Sequence, residues 1–181
     1  MEFIETTLRD ALLIEPRVFG DDRGFFMESW NSRTFADAGL DLTFMQDNHS
    51  RSQAGVLRGL HYQQPNPQGK LVRVTQGAVY DVIVDLRKGS ETFGQHEGFT
   101  LSADNKRMLW VPPGFAHGFL TLEDDTHFLY KCTAQYDPSA EHSLLWNDDE
   151  LAIDWPLDGR TPTLSAKDEA GVPFAEAVTF A

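Results

Sequence analysis

The sequence reads as a mainly β chain, folded as a sandwich or barrel with a few short peripheral helices. Short apolar segments alternate with turn signals along most of its length. Several of them repeat at every second residue, the period of a strand with one buried face. Helix-start signals are few, and no internal repeat, low-complexity tract or linker interrupts the pattern.

Taken in chain order, Asn31 can cap a short helix running through Ala38, which Gly39 stops. Val56 to Tyr62 is an apolar strand interrupted only by Arg58 and His61. Leu71 to Thr75 and Tyr80 to Leu86 flank Gln76-Gly77, and the pair reads as a hairpin. In the second of these, positions 80, 82, 84 and 86 are apolar and Asp81 and Asp85 occupy the other face, which predicts a single buried face. Arg107 to Val111 is a further strand. Pro112-Pro113-Gly114 breaks it, because proline lacks the ladder donor and glycine permits a positive φ. His117 to Leu122 resumes, Glu123-Asp124-Asp125 turns, and Thr126 to Thr133 follows. Ser165, with Asp168 three residues on, can cap a second helix.

The 181 residues suit one domain over 1–181, and a chain of that size buries roughly 70% of its unfolded surface. Hydrophobic residues at 41% and charged residues at 24% give an ordinary globular balance. The start, MEFIETTLRD, has no basic segment followed by an apolar one, so no secretory signal is expected. No apolar run approaches the roughly 20 residues that cross a bilayer. Cys132 is the single cysteine, so no intrachain disulfide can form, and a cytoplasmic location fits. The net charge of −13 repels nucleic acid backbones and anionic membranes, so neither is expected as a partner. An anionic substrate would then require basic residues concentrated at one site.

Candidate chemistry comes from a handful of positions. Phe128, Tyr130 and Cys132 share one strand face and are the better candidates for the interior. Tyr130 would project its hydroxyl into a barrel, either as a reactive group or as a core tyrosine bonded to backbone. His61 is a candidate base because polar residues crowd around it in sequence: Gln46-Asp47-Asn48-His49 before, Gln68-Gly69-Lys70 after. Asp168 fits a helix-capping box, the reading its own neighbours favour, and the alternative is a carboxylate that orients a histidine. Lys70, Arg73, Arg23, Arg58 and Lys167 are candidates for a phosphate cluster. No glycine-rich nucleotide loop is present, which argues against dinucleotide-binding and P-loop folds.

Pro112-Pro113-Gly114-Phe115-Ala116-His117 has the P-x-G-x-x-H shape of cupin barrels. Metal-binding cupins carry an H-x-H-x₃,₄-E group on an earlier strand. Here Tyr62 and Gln63 follow His61, and the second histidine and the glutamate are missing. No metal is therefore expected, because two histidines fall short of the three or four donors a transition-metal site wants.

Several blocks in order then carry a family resemblance: Val18-Phe19-Gly20-Asp21-Asp22-Arg23-Gly24-Phe25-Phe26, Gln46-Asp47-Asn48-His49-Ser50, Gly55-Val56-Leu57-Arg58-Gly59-Leu60-His61, Gln68-Gly69-Lys70-Leu71-Val72-Arg73, Gly114-Phe115-Ala116-His117-Gly118-Phe119, Phe128-Leu129-Tyr130-Lys131 and Leu164-Ser165-Ala166-Lys167-Asp168. Over nearly its whole length the chain resembles the dTDP-4-dehydrorhamnose 3,5-epimerase family. The resemblance implies a cupin-type double-stranded β-helix, a jelly-roll barrel. It implies inversion of C3 and C5 of a dTDP-4-keto sugar, no cofactor, and a homodimer. It also implies roles: His61 as base, Asp168 as the residue that polarises it, Tyr130 as acid, and Lys70 beside the substrate ketone. Arg23, Glu28, Gln46, Asp47, Asn48, Arg58, His117, Glu141 and Lys167 match positions that contact the nucleotide sugar, and Tyr136 one that stacks near the thymine. On the same scaffold, a 3- or 5-epimerase, a 3,4-ketoisomerase or a non-catalytic nucleotide-sugar binder are the competing readings.

Overall fold

The computed structural model describes residues 1–181 and contains thirteen strands and two short α-helices. In chain order these are β1 (Glu2–Glu5), β2 (Leu12–Glu15), β3 (Val18–Asp21), β4 (Gly24–Met27), α1 (Ser32–Asp37), β5 (Gln46–Ser52), β6 (Leu57–Gln63) and β7 (Lys70–Gln76). There follow β8 (Ala78–Asp85), β9 (His96–Ser102), β10 (Met108–Val111), β11 (Phe115–Thr121), β12 (Thr126–Cys132), β13 (Glu141–Ser143) and α2 (Ala166–Glu169). A six-stranded sheet runs β1-β2-β10-β7-β12-β5, and a five-stranded sheet runs β13-β6-β11-β8-β9. Strands β3 and β4 form a separate ribbon. All the paired strands are antiparallel, and the two large sheets close on one another as the jelly-roll barrel that the family resemblance implies.

The barrel interior is filled from both sheets. Val72, Val74 and Phe128 meet Val79, Ile83 and Phe119 there, all buried. A second apolar layer lies outside the five-stranded sheet, where Leu60, Val82, Val84 and Leu120 pack against Leu144, Leu151, Trp155 and Phe180 from the C-terminal third of the chain. A third covers the outside of the six-stranded sheet, where Phe35 of α1 packs with Ile14, Leu71, Met108 and Trp110. No helix is long and apolar enough to cross a membrane.

Both helix starts fall where the sequence places them. The Asn31 side chain accepts from the Arg33 and Thr34 amides, and α1 ends at Ala38 before Gly39, whose φ is +87°. Ser165 caps α2 in a reciprocal capping box with Asp168.

Two strand expectations need correction. The segments on either side of Gln76-Gly77 do not pair with each other. Strand β7 belongs to the six-stranded sheet and β8 to the five-stranded one, so Gly77 turns a corner between sheets. Its φ is +73°, and a Cβ there would lie 2.2 Å from the Thr126 hydroxyl oxygen, so the corner requires glycine. Nor does β8 have only one buried face. Val82 and Val84 face the outer C-terminal layer, while Val79 and Ile83 face the barrel, and Asp81 and Asp85 are fully buried as well. A strand in the interior of a sheet that is covered on both sides has no solvent face, and the two aspartates fool a period-two reading.

Candidate active site

A cavity of about 430 Å³ opens between the two sheets. The five-stranded sheet supplies Arg58, His61 and Gln63 from β6, His117 and Phe119 from β11, and Glu141 from β13. Facing them from the six-stranded sheet come Gln46, Asn48 and Ser50 of β5, Lys70 of β7, and Phe128 and Tyr130 of β12. Tyr136 and the α2 region, with Ser165, Lys167 and Asp168, complete the lining.

His61 and Asp168 meet across 107 residues of chain, with His61 Nε2 2.7 Å from Asp168 Oδ1. The approach is built by the backbone. The chain at Thr163 runs beside Val56 as a parallel bridge, and the Leu57 amide donates to the Thr163 carbonyl. That docks α2 under β6, where the Gly59 amide also donates to Asp168 Oδ1 at 3.1 Å. Gly59 has a φ of +117°, and a Cβ on it would stand 2.5 Å from the Gly118 Cα of β11, so the neighbouring strand closes on bare backbone here. The other carboxylate oxygen, Oδ2, accepts from the Ser165 hydroxyl at 2.5 Å and the Ser165 amide at 3.3 Å. Asp168 thus gives one carboxylate oxygen to the helix cap and the other to His61.

Electrostatics differ sharply among these groups. Burial lowers the His61 pKa, with Lys167 and Lys70 adding to the fall and Asp168 opposing it. Burial pushes the Asp168 carboxyl up, but the hydrogen bonds from His61, Ser165 and Gly59 outweigh it and hold the group well below the usual carboxylate range. Burial raises the Tyr130 phenol, which therefore keeps its proton at neutral pH. Lys70 is buried on β7, with its Nζ 3.4 Å from the His61 carbonyl oxygen. Burial lowers its pKa, against the pull of Cys132, Asp81 and Glu141.

Around this centre the polar groups are linked. Lys167 Nζ donates to Glu141 Oε1 at 2.5 Å, and the Tyr136 hydroxyl donates to Glu141 Oε2 at 2.8 Å. Gln46 donates to Asn48 and accepts from the Tyr136 amide. The Arg58 Nε donates to Ser52 Oγ at 3.1 Å. His117 Nε2 lies 3.0 Å from both oxygens of Asp81.

Most of the site residues read from the sequence therefore converge on one cavity, and four do not. Arg23 stands at the tip of the β3–β4 ribbon, paired with Asp21 at 2.5 Å with 89% of its side chain exposed. Glu28 follows the same ribbon and accepts from Asn31. Asp47 alternates away from its neighbours on β5 and pairs with Lys131 at 2.8 Å outside the barrel. Arg73, three residues from Lys70, falls on the opposite face of β7 and joins the outer surface beside Asp47 and Lys131. The cavity adds Ser50, Gln63 and Phe119, which motif reading missed, beside Phe128 of the strand face expected to point inward. Ser50 could have been found from strand alternation, since it shares the face of Gln46 and Asn48.

The histidines lining the cavity, His61 and His117, each spend Nε2 on an aspartate. No group of three or more His, Cys, Asp or Glu side chains is placed to hold a metal ion.

Residues 5–176 match the family model for dTDP-4-dehydrorhamnose 3,5-epimerase. The chain belongs to that family. Among members of this epimerase family, the dTDP-4-dehydrorhamnose 3,5-epimerase of Pseudomonas aeruginosa is 57% identical over 181 residues, covering 99% of each chain. Two crystal structures of family members superpose closely. The Legionella pneumophila dTDP-6-deoxy-D-glucose-3,5-epimerase, in complex with dTDP-4-keto-L-rhamnose, gives a TM-score of 0.94 at 49% identity, covering 98% of this chain and 94% of that one. The Bacillus anthracis enzyme, with TDP and PPi bound, gives 0.92 at 53% identity, covering 95% and 98%.

Proposed function

We propose that this epimerase-family chain converts dTDP-4-dehydro-6-deoxy-D-glucose to dTDP-4-dehydro-L-rhamnose by inverting C3 and C5. The observation that carries the reading is the placement of a base and an acid on opposite walls of one cavity: His61, held by Asp168, on the five-stranded sheet, and Tyr130 on the six-stranded sheet.

The chemistry follows from these positions. Inverting a carbon means taking its proton from one face and returning one to the other. The C4 ketone acidifies both C3 and C5, so a single site can serve both centres. With Nε2–H donated to Asp168, His61 presents Nδ1 as the base, and Asp168 stabilises the imidazolium that forms. A burial-lowered pKa leaves this base free of its proton at neutral pH. The C–H electrons move into an enolate whose O4 carries the charge, and Lys70 offsets it. Tyr130 then protonates the carbon from the opposite face. Each step moves only protons and an electron pair within the substrate, so the side chains suffice. Arg58 and Lys167, with Gln46, Asn48, Glu141 and Tyr136 around them, are proposed to hold the nucleotide and its diphosphate. That concentrates positive charge at the cavity in a chain of net charge −13.

Arg23 and Glu28 reach substrate in this reading from a second copy of the chain. The resemblance puts both on the nucleotide sugar, yet Arg23 sits at the tip of the β3–β4 ribbon and Glu28 just after it, away from the cavity. The ribbon is also richly apolar on its surface, with Phe19, Phe25 and Phe26 exposed at 52%, 62% and 69%. Aromatic side chains so placed favour a partner surface. We therefore propose a homodimer that trades ribbons between sites, in the cytoplasm.

Proton NMR of the purified protein with dTDP-4-keto-6-deoxy-glucose in D₂O tests the activity. Deuterium entering C3 and C5, with the rhamnose-configured product appearing, is the expected result. Exchange at one centre alone would replace this reading with a mono-epimerase or ketoisomerase, and no exchange would leave a binder.

A further inference from the structure

Behind the cavity wall lies a second histidine–carboxylate pair: His117, which the family resemblance puts against the nucleotide sugar, and Asp81, to which neither the resemblance nor the proton transfers above give a role. Asp81 lies in the interior of β8 with no exposed surface, and the only hydrogen-bonding partner of its carboxylate is His117 Nε2, 3.0 Å from each oxygen. A carboxylate is among the costliest groups to bury, and an apolar residue of its size would pack there at less cost. Its neighbours on the same strand face, Val79 and Ile83, are ordinary barrel core. The wall of the cavity at this point is therefore built around the histidine.

The ring is held from two directions. Phe128 stacks beside it, centroids 6.1 Å apart and planes 25° apart, and Phe128 in turn stacks on Phe119 at 4.1 Å. Asp81 takes Nε2. The remaining nitrogen, Nδ1, has no partner within the chain, and the ring lines the cavity. The two histidines are not equivalent, because 25% of the His61 side chain is exposed to the cavity mouth but only 7% of His117. His117 thus belongs to the inner wall with Lys70, and burial raises the Asp81 carboxyl behind it, against the pull of His117 and Lys70.

We propose that Asp81 is a positioning residue for the reaction: acting through His117, it fixes the ring as the Nε2–H tautomer and sets Nδ1 in the cavity as the acceptor for a hydroxyl of the substrate's sugar ring. The hydrogen bond made by one imidazole nitrogen decides which nitrogen carries the proton. A site built to accept a hydroxyl's proton selects strongly for sugars that carry that hydroxyl, since a buried acceptor left unpaired is costly. The inference rests on the epimerase reading and adds to it a determinant of which sugars are accepted and how they are registered against the base.

The test compares wild type with Asp81→Val and Asp81→Asn on dTDP-4-keto-6-deoxy-glucose and on its 2-deoxy and 3-deoxy counterparts, following exchange by NMR. Asp81→Val is expected to raise KM about tenfold, the worth of one neutral hydrogen bond. Asp81→Asn, whose amide oxygen can still accept from Nε2–H, is expected to recover most of that loss. With one of the two deoxy substrates the valine variant and wild type should become equal, because the hydroxyl is already gone. Equal loss on all three substrates, or no loss on any, overturns the proposal. Should Asp81→Val fail to fold, ¹⁵N NMR of the wild-type imidazoles decides, with the His117 signal assigned by its disappearance in His117→Gln. The Nε2–H tautomer supports the proposal, and an Nδ1–H tautomer overturns it. Wild-type protein that exchanges neither centre strikes the epimerase reading instead, while wild-type turnover with an indifferent Asp81→Val strikes this inference alone.

Discussion

His61, half-buried, and Lys70, buried, are both cations-in-waiting, and desolvation moves both the same way, toward the neutral form. The consequence for the reaction is opposite in the two cases. The base must be neutral to work, so its lowered pKa extends activity into acid, and the acid limb of kcat/KM should fall below the reference value of about 6.5. The group beside O4 must be charged to work, so activity should fail on the alkaline side below the reference lysine value of about 10.4. Tyr130, pushed up by burial, does not set that limb. A pH–rate profile measured in D₂O-free buffer checks both limbs, and an acid limb above 7 would contradict His61 as the base. His61→Asn should lower kcat by about 10²–10⁴-fold, the usual share of general-base catalysis, while dTDP affinity by calorimetry stays near wild type. Near-normal turnover would remove the assignment. Histidine and tyrosine were candidates from residue type and neighbours alone. Asp81 was not, because on paper it looks like the solvent face of a strand.

At the scale of elements, the short α2 helix carries more of the site than its four residues suggest. One oxygen of Asp168 serves the Ser165 cap and the other serves His61, so substitutions there separate two functions. Asp168→Ala should cost about 1 kcal/mol of stability, the ordinary value of a cap, and most of the activity. Ser165→Ala should show a comparable stability loss in denaturant melts with activity largely kept, since the Gly59 amide and His61 still hold Oδ1. Activity collapse in Ser165→Ala would mean that the cap, not the dyad bond, orients Asp168. The approach of β6 to β11 makes a second element-scale prediction. Gly59→Ala combines a positive φ with a would-be Cβ only 2.5 Å from backbone, so it should destabilise by more than about 1 kcal/mol. A thermal melt of the variant measures it.

For the whole molecule, the apolar β3–β4 ribbon and the uncovered edges of β5 and β1 point the same way as the stranded Arg23 and Glu28. Light scattering should give twice the chain mass. Mixing Arg23→Ala with His61→Asn subunits should restore about a quarter to a half of wild-type activity if each site borrows its partner's ribbon, since one of the two sites in a mixed dimer is then intact. No recovery on subunit exchange would mean that Arg23 serves the site of its own chain, and an Arg23→Ala homodimer of wild-type activity would place it outside the site. Stability against pH follows from the same network. Asp168 has a folded-state pKa depressed below its unfolded value, so its contribution is present above about pH 4 and is lost as the pH falls further. His61, whose folded-state pKa is lowered, disfavours the folded state once the pH drops below about 6.5. Melting temperature should therefore decline from about pH 6 downward, and Asp168→Asn should flatten the part below about pH 4. A decline of the same shape in that variant would show that other carboxylates, Asp85 with its Arg87, Ser90 and Thr92 bonds among them, carry the acid transition.

Local residue patterns are enough to read the mainly β class, the helix starts at Asn31 and Ser165, the break at Pro112-Pro113-Gly114 and the interior face carrying Phe128 and Tyr130. These are local matters of turn chemistry, capping and period two, which neighbouring residues settle among themselves. The ordered sequence blocks also pointed to the family, because residue identities at a site survive in the chain even when their contacts cannot be seen. Long-range packing is what makes Gln76-Gly77 a corner between sheets, buries β8 on both faces, brings Asp168 to His61 and leaves Arg23, Glu28, Asp47 and Arg73 outside the cavity. Strand alternation states that two faces differ without saying what lies against each. In this barrel the polar face of a strand can be its inner one, because the space between the sheets holds a charged site as well as a core.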